Sequence, residues 1–174
     1  MKAGFAGRDI TPRVGGELCG FGPFLNRRSI GVRDGLEARA VAFEAGSKRA
    51  LLITCDLCSL RAETVAAVRA LIAARHPELG APDILVACSH THSGPSTGSE
   101  NRGWGAPDPV YLEILPYKIA QAGLDALQRM ERVAVSTARV PCEGIGLNRV
   151  YDLDAPPLGD VLKEDWRPAK PELT

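Results

Sequence analysis

The chain has 174 residues, 45% hydrophobic and 24% charged, and its 21 basic and 21 acidic side chains cancel to a formal net charge of zero. That length fits one domain, able to bury roughly 70% of its unfolded surface. The charge balance leaves no basic excess for neutralising phosphates, so a dedicated nucleic-acid binder is excluded. No apolar run approaches the ~18 residues of a membrane span, and the opening Met1 to Asp9 has no apolar signal core. Five scattered cysteines (Cys19, Cys55, Cys58, Cys88 and Cys142) read as reduced thiols rather than a disulfide framework, and a cytoplasmic protein is expected.

Residues 3–10 predict a first strand, ended by Thr11-Pro12. The stretch from Gly15 to Gly35, glycine-rich and carrying Arg27 and Arg28, is a long irregular segment of the kind that often carries function. Leu36 to Glu44 predicts a strand and Gly46-Ser47 a turn. The apolar run between Arg49 and Asp56 predicts a strand buried on both faces. Ser59 is expected to cap a helix whose Val65, Val68 and Ile72 form an apolar stripe, stopping near His76-Pro77. Ile84 to Cys88 predicts a second buried strand, followed by a Gly- and Pro-rich loop over 93–109. A long helix then opens near Asp108 and runs to about Met130, with a kink expected at Pro116. The alternating, β-branched stretch Arg132 to Val140 predicts a last strand. This order indicates an α/β fold with a central mixed β-sheet flanked by helices. The expected organisation is a catalytic-type segment over residues 1–150 and a Pro-rich irregular tail over 151–174.

Two of the three histidines fall in one run, Cys88-Ser89-His90-Thr91-His92-Ser93-Gly94-Pro95. On an extended backbone residues two apart share a face, so His90 and His92 are expected to project together from the C-terminal end of a central strand, where α/β folds place ligands. Imidazole nitrogen is a preferred Zn²⁺ ligand, and a catalytic zinc needs about three protein ligands and an open position. A bare His-x-His fits equally well a pair of half-exposed polar residues at a strand end.

The run His90-Thr91-His92-Ser93-Gly94-Pro95 after an apolar strand resembles the signature of the neutral, non-lysosomal ceramidases, in the N-terminal part of their catalytic domain. Other pieces resemble that family in the same order: Asp9-Ile10-Thr11-Pro12, Gly31-Val32-Arg33-Asp34-Gly35-Leu36-Glu37-Ala38-Arg39-Ala40 with Gly35 where proline is usual, Thr54-Cys55-Asp56-Leu57, and Gly146-Leu147-Asn148-Arg149. The resemblance implies a zinc-dependent amide hydrolase acting on N-acyl-sphingosine or a related N-acyl lipid. It makes His90 a zinc ligand, His92 a neighbour that contacts the reacting amide or supports the metal, and Arg149 an active-site arginine. The family's remaining ligands come from further along its chain and have no matching position here. The expectation is therefore an incomplete half of a larger catalytic domain that carries part of the active site. The rival readings are a non-catalytic truncated domain with weak or no metal binding, and an unrelated zinc hydrolase with its own His-x-His strand.

Five further features bear on the site through their chemistry. Asp56, at a strand end, fits either an acceptor orienting a ligand histidine or a carboxylate near a helix N-terminus. Asp9 or Asp56, and Arg149, are expected around the same cleft, because all three follow predicted strand segments. Cys88 shares strand parity with His90, which admits a thiolate ligand, although buried cysteine is usually a small hydrophobe. Cys55 and Cys58 have Cys-x-x-Cys spacing without a second pair, so core packing is expected. Arg27 and Arg28 fit a solvated loop better than a grip on a substrate anion.

Overall fold

The computed structural model describes residues 1–20, 27–98 and 105–141. Met1–Ala134 forms one compact unit and Val135–Thr174 a second; the described residues of the second, 135–141, contain no helix or strand. Everything that follows belongs to the first unit.

Among the described residues five strands, β1 (Lys2–Asp9), β2 (Glu37–Ala45), β3 (Lys48–Cys55), β4 (Ile84–Cys88) and β5 (Glu131–Arg132), form one sheet in the order β4-β3-β2-β1-β5. The first three make an antiparallel meander, joined at Gly46 by a positive-φ turn. β4 then pairs parallel to β3, with Cys55 opposite Cys88. Helix α1 (Ala62–Ala73) and a short 3₁₀ turn make the crossover between those two, and helix α2 (Pro109–Gln128) follows β4. The sheet is mixed and the fold is α/β, as the element order predicts.

The core lies between the sheet and its helices. On β3, Leu51, Ile53 and Cys55 are buried while Ala50 and Thr54 are exposed. These meet Val68 and Ile72 of α1 and Leu115, Ile119, Ala122 and Ala126 of α2. Each fully buried Leu or Ile contributes about 1.5–3 kcal/mol relative to exposure. The helix approaches closely because small residues line the seam. A Cβ on Gly123 would stand 2.9 Å from Leu51 Cδ2, and one on Gly4 would stand 2.0 Å from the Ala126 carbonyl oxygen.

Four expectations are corrected. β3 is buried on one face only, because among the described residues no helix covers the other side. The register aligns Phe5, Val41, Leu52 and Leu85 in a row across that side, and Phe5 and Leu85 are more than half exposed. β4 is an edge strand in this sheet, not a central or fully buried one. Ser59 does not cap α1: the helix begins after Arg61 with no side-chain cap, and the Ser59 carbonyl instead accepts the Thr97 hydroxyl at 2.5 Å. The strand expected over 132–140 shrinks to Glu131–Arg132, since β1 offers it only Lys2 and Ala3 as partners.

α2 starts where expected. Asp108 caps it by accepting from the Val110 amide at 3.0 Å, with Pro109 in the first helical position. Pro116 is accommodated inside the helix and buried. Arg69 of α1 donates through Nε and Nη2 to the Ile84 carbonyl, at 3.1 and 3.0 Å, fixing the helix to the start of β4.

Candidate metal site

β3 and β4 are parallel and end in register, so the residues just past Cys55 and just past Cys88 emerge at the same edge of the sheet. The two exits are tied together by main-chain bonds. The Ser89 amide donates to the Cys55 carbonyl and the His90 amide to the Leu57 carbonyl, both at 3.0 Å. Cys58 therefore arrives beside the histidine run although 32 residues separate it from His90.

His90 has φ 61°, and no other non-glycine residue described has a positive φ. Histidine is among the residues that tolerate this region, but the conformation costs free energy and is maintained by its surroundings. It also ends the strand alternation, so the two imidazoles do not converge by the extended-strand parity expected for them. They converge because the chain turns at His90. The ring centroids stand 5.0 Å apart at 62°. His90 Nδ1 lies 2.8 Å from the Cys58 carbonyl oxygen. A carbonyl only accepts, so Nδ1 carries the proton and Nε2 keeps the lone pair. Cys58 Sγ lies 3.7 Å from the same Nδ1. One ligand atom each from Cys58, His90 and His92 lies within 4.8 Å of the other two. Cys58 is buried, His92 half-buried and His90 exposed, so the cluster is open on the His90 side.

A loop from the first third of the chain closes the site. Leu18 bridges to Pro95, and the Cys19 amide donates to the Gly94 carbonyl at 3.0 Å. Gly20 has φ 93° and lies against the His92 ring; a Cβ there would stand 2.4 Å from His92 Cγ. Arg27 is half-buried. Its Nη2 donates to the carbonyls of Cys19 (3.1 Å), Gly20 (3.3 Å) and His92 (3.4 Å). It thus clamps the loop onto the histidine run and is not the solvated side chain expected. Arg28 is exposed and pairs with Glu17 at 3.1 Å. Burial and the neighbouring Cys58 thiol, with which it shares a hydrogen bond, push the Cys19 thiol up to about 11.

Other candidates fall elsewhere. The Asp56 carboxylate accepts from the Glu37 amide at 3.1 Å and pairs with Arg39 at 3.2 Å, so it is engaged by β2 and not by a histidine. Asp9 accepts from the Thr11 amide at 2.7 Å and is engaged locally. Cys88 is not in the cluster, because the turn at His90 removes the parity that would have aligned them. Burial pushes its thiol up, and pushes that of Cys55 up to about 12. Arg149 lies outside the described residues. Cys58 is the member that sequence reasoning assigned to the core. The signal for it was the parallel pairing of two strands whose C-terminal ends must lie side by side.

On the other side of the histidine run, a cavity of ≈ 530 Å³ is lined by Val14, Leu18 and Leu36, by the charged Arg28, Arg33 and Asp34, and by Thr91 and Ser93, which alternate with the histidines. Neither His90 nor His92 lines it.

The unit thus has an α/β fold with a donor cluster where parallel strands end. Two solved structures share it: neutral ceramidase from Pseudomonas aeruginosa and a ceramidase complexed with C2. Each aligns at a TM-score of 0.67 and 21% identity over 75% of this chain. The chain spans 22% and 21% of the length of those two proteins. That likeness bears out, for the fold, the resemblance carried by the motifs. No protein-family profile matches the sequence, and no curated protein matches it.

Proposed function

We propose that this chain carries part of the active site of a metal-dependent amide hydrolase of ceramidase type, with an N-acyl lipid or a related small amide as substrate. The observation that carries the reading is the convergence of His90 and His92, with Cys58, at the sheet edge of a fold shared with neutral ceramidases. The donor set suits zinc: two imidazoles, one with its Nδ1 proton pinned by a carbonyl so that Nε2 faces outward as a ligand. A bound zinc ion supplies Lewis acidity that polarises an amide carbonyl and acidifies water.

The chain's own residues do the rest. His90 holds the metal. His92, pressed between Gly20 and the His90 ring, supports it or donates to the amide oxygen as that carbon becomes tetrahedral. Arg149 is assigned to the developing charge on the family resemblance. The cavity beside the histidine run combines Val14, Leu18 and Leu36 with Arg28, Arg33 and Asp34, a lining suited to an apolar chain that carries a polar end.

The test is hydrolysis of a fluorescent ceramide by chelator-treated protein before and after zinc is restored. Slow hydrolysis that needs zinc and disappears in His90→Ala is expected. Turnover that is unchanged by His90→Ala, or no zinc-dependent cleavage of ceramide or short N-acyl amides, would overturn the reading in favour of a non-catalytic domain.

A further inference from the structure

We propose that the Cys58 thiolate is itself a metal ligand beside His90 and His92, making a mixed sulfur–nitrogen site that prefers zinc and cobalt(II) to magnesium, calcium or manganese. The inference rests on the metal-site reading above and goes beyond it in the identity of the third ligand.

Geometry carries it. Cys58 is buried, three residues past the end of β3, and cannot swing into solvent. Its carbonyl holds the His90 ring by Nδ1 and its sulfur lies 3.7 Å from that same atom, so the two residues are neighbours, and the thiolate reaches an ion on Nε2 by rotating toward that edge of the ring. Nitrogen and sulfur donors on one tetrahedral zinc stand about 3.6 Å apart, from zinc–sulfur and zinc–nitrogen distances of about 2.3 and 2.05 Å. One donor atom from each of the three residues lies within 4.8 Å of the others, so closing the set on one ion requires side-chain rotation. Cys19 and Cys58 are both buried. The Cys19 main chain is held by the Gly94 carbonyl and by Arg27. The strained backbone of His90 keeps its imidazole on the same centre.

Soft thiolate with imidazole selects borderline metals over hard, oxygen-seeking ones. On binding, the Cys58 S–H bond breaks, the sulfur keeps the electron pair as donor to the metal, and the proton passes to buffer.

Cobalt(II) titration of the full chain under reducing conditions tests this directly, because thiolate ligation adds a near-ultraviolet sulfur-to-cobalt charge-transfer band that imidazole ligation lacks. The expected result is a band that saturates at one cobalt per chain, is lost in Cys58→Ser and is retained in Cys88→Ser. Zinc affinity should fall at least about tenfold in Cys58→Ser. Cobalt binding without the sulfur band in the wild type, or a band that persists in Cys58→Ser, would overturn the thiolate while leaving the imidazole site standing. No cobalt or zinc binding by the wild type would overturn both.

Discussion

Gly20 shows how narrowly single residues set this site. Its φ of 93° disfavours any L side chain, and the space where a Cβ would go is already taken by the His92 ring at 2.4 Å. Gly20→Ala should therefore displace the ring and strain the loop together, at roughly 1–3 kcal/mol. Denaturant unfolding and a zinc titration check this. Unchanged stability with unchanged zinc affinity would mean that the loop does not brace His92. At this scale the sequence was informative where chemistry is local. The His-x-His run, the glycine-rich segment before it and the Asp108 cap are all legible in one dimension. Cys58 and Arg27 were not, because their roles depend on partners far along the chain: His90 for the first, and the Cys19, Gly20 and His92 carbonyls for the second. A buried cysteine two residues past Asp56 reads as core until the strand beside it is known.

At the level of elements, α2 is fastened to β1 by one largely buried carboxylate. Asp125 accepts from Arg8 Nε at 2.6 Å and from Gln121 Nε2 at 2.7 Å. Burial pushes its pKa up, but the hydrogen bonds from Gln121 and Arg8 outweigh that and hold it below the usual value of 3.8. A depressed carboxylate contributes stability that is present above the unfolded-state pKa and is lost as pH falls through the folded-state value. Arg8 is about half exposed, so solvent screening limits the pair. Asp125→Asn should cost about 1 kcal/mol at neutral pH and less below pH 3.8, so the acid limb of the stability curve becomes shallower. Urea unfolding at neutral and acid pH measures it, and an identical acid limb in both proteins would contradict it. The order of elements was legible from periodicity because β1, β2, β3, β4 and α2 each carry an uninterrupted pattern. What periodicity could not supply was lateral position. Ile84 to Cys88 is apolar enough for a central strand yet forms the edge. The β-branched run after Met130 finds only two residues of β1 to pair with.

In the first unit, among the described residues, one layer of helices covers one face of the sheet, while the row Phe5, Val41, Leu52 and Leu85 crosses the other. The matched ceramidase structures are between four and five times longer than the aligned part of this chain requires, since the alignment takes up 22% and 21% of them. The donor cluster sits at one end of this single layer, at the edge where β3 and β4 stop together. Such a position makes the fold itself the device that assembles the site: parallel pairing delivers Cys58 to the histidines, and the Gly20 loop and Arg27 lock them. If that is so, metal binding must depend on the imidazoles and not on the rest of the surface. The decisive measurement is zinc content by elemental analysis after equilibrium dialysis, for the wild type and for His90→Ala/His92→Ala, with circular dichroism confirming that both are folded. Equimolar zinc in the wild type and none in the folded double variant is the expected result. A wild type that retains no zinc, or a double variant that retains as much, would contradict the assignment of this cluster as a metal site.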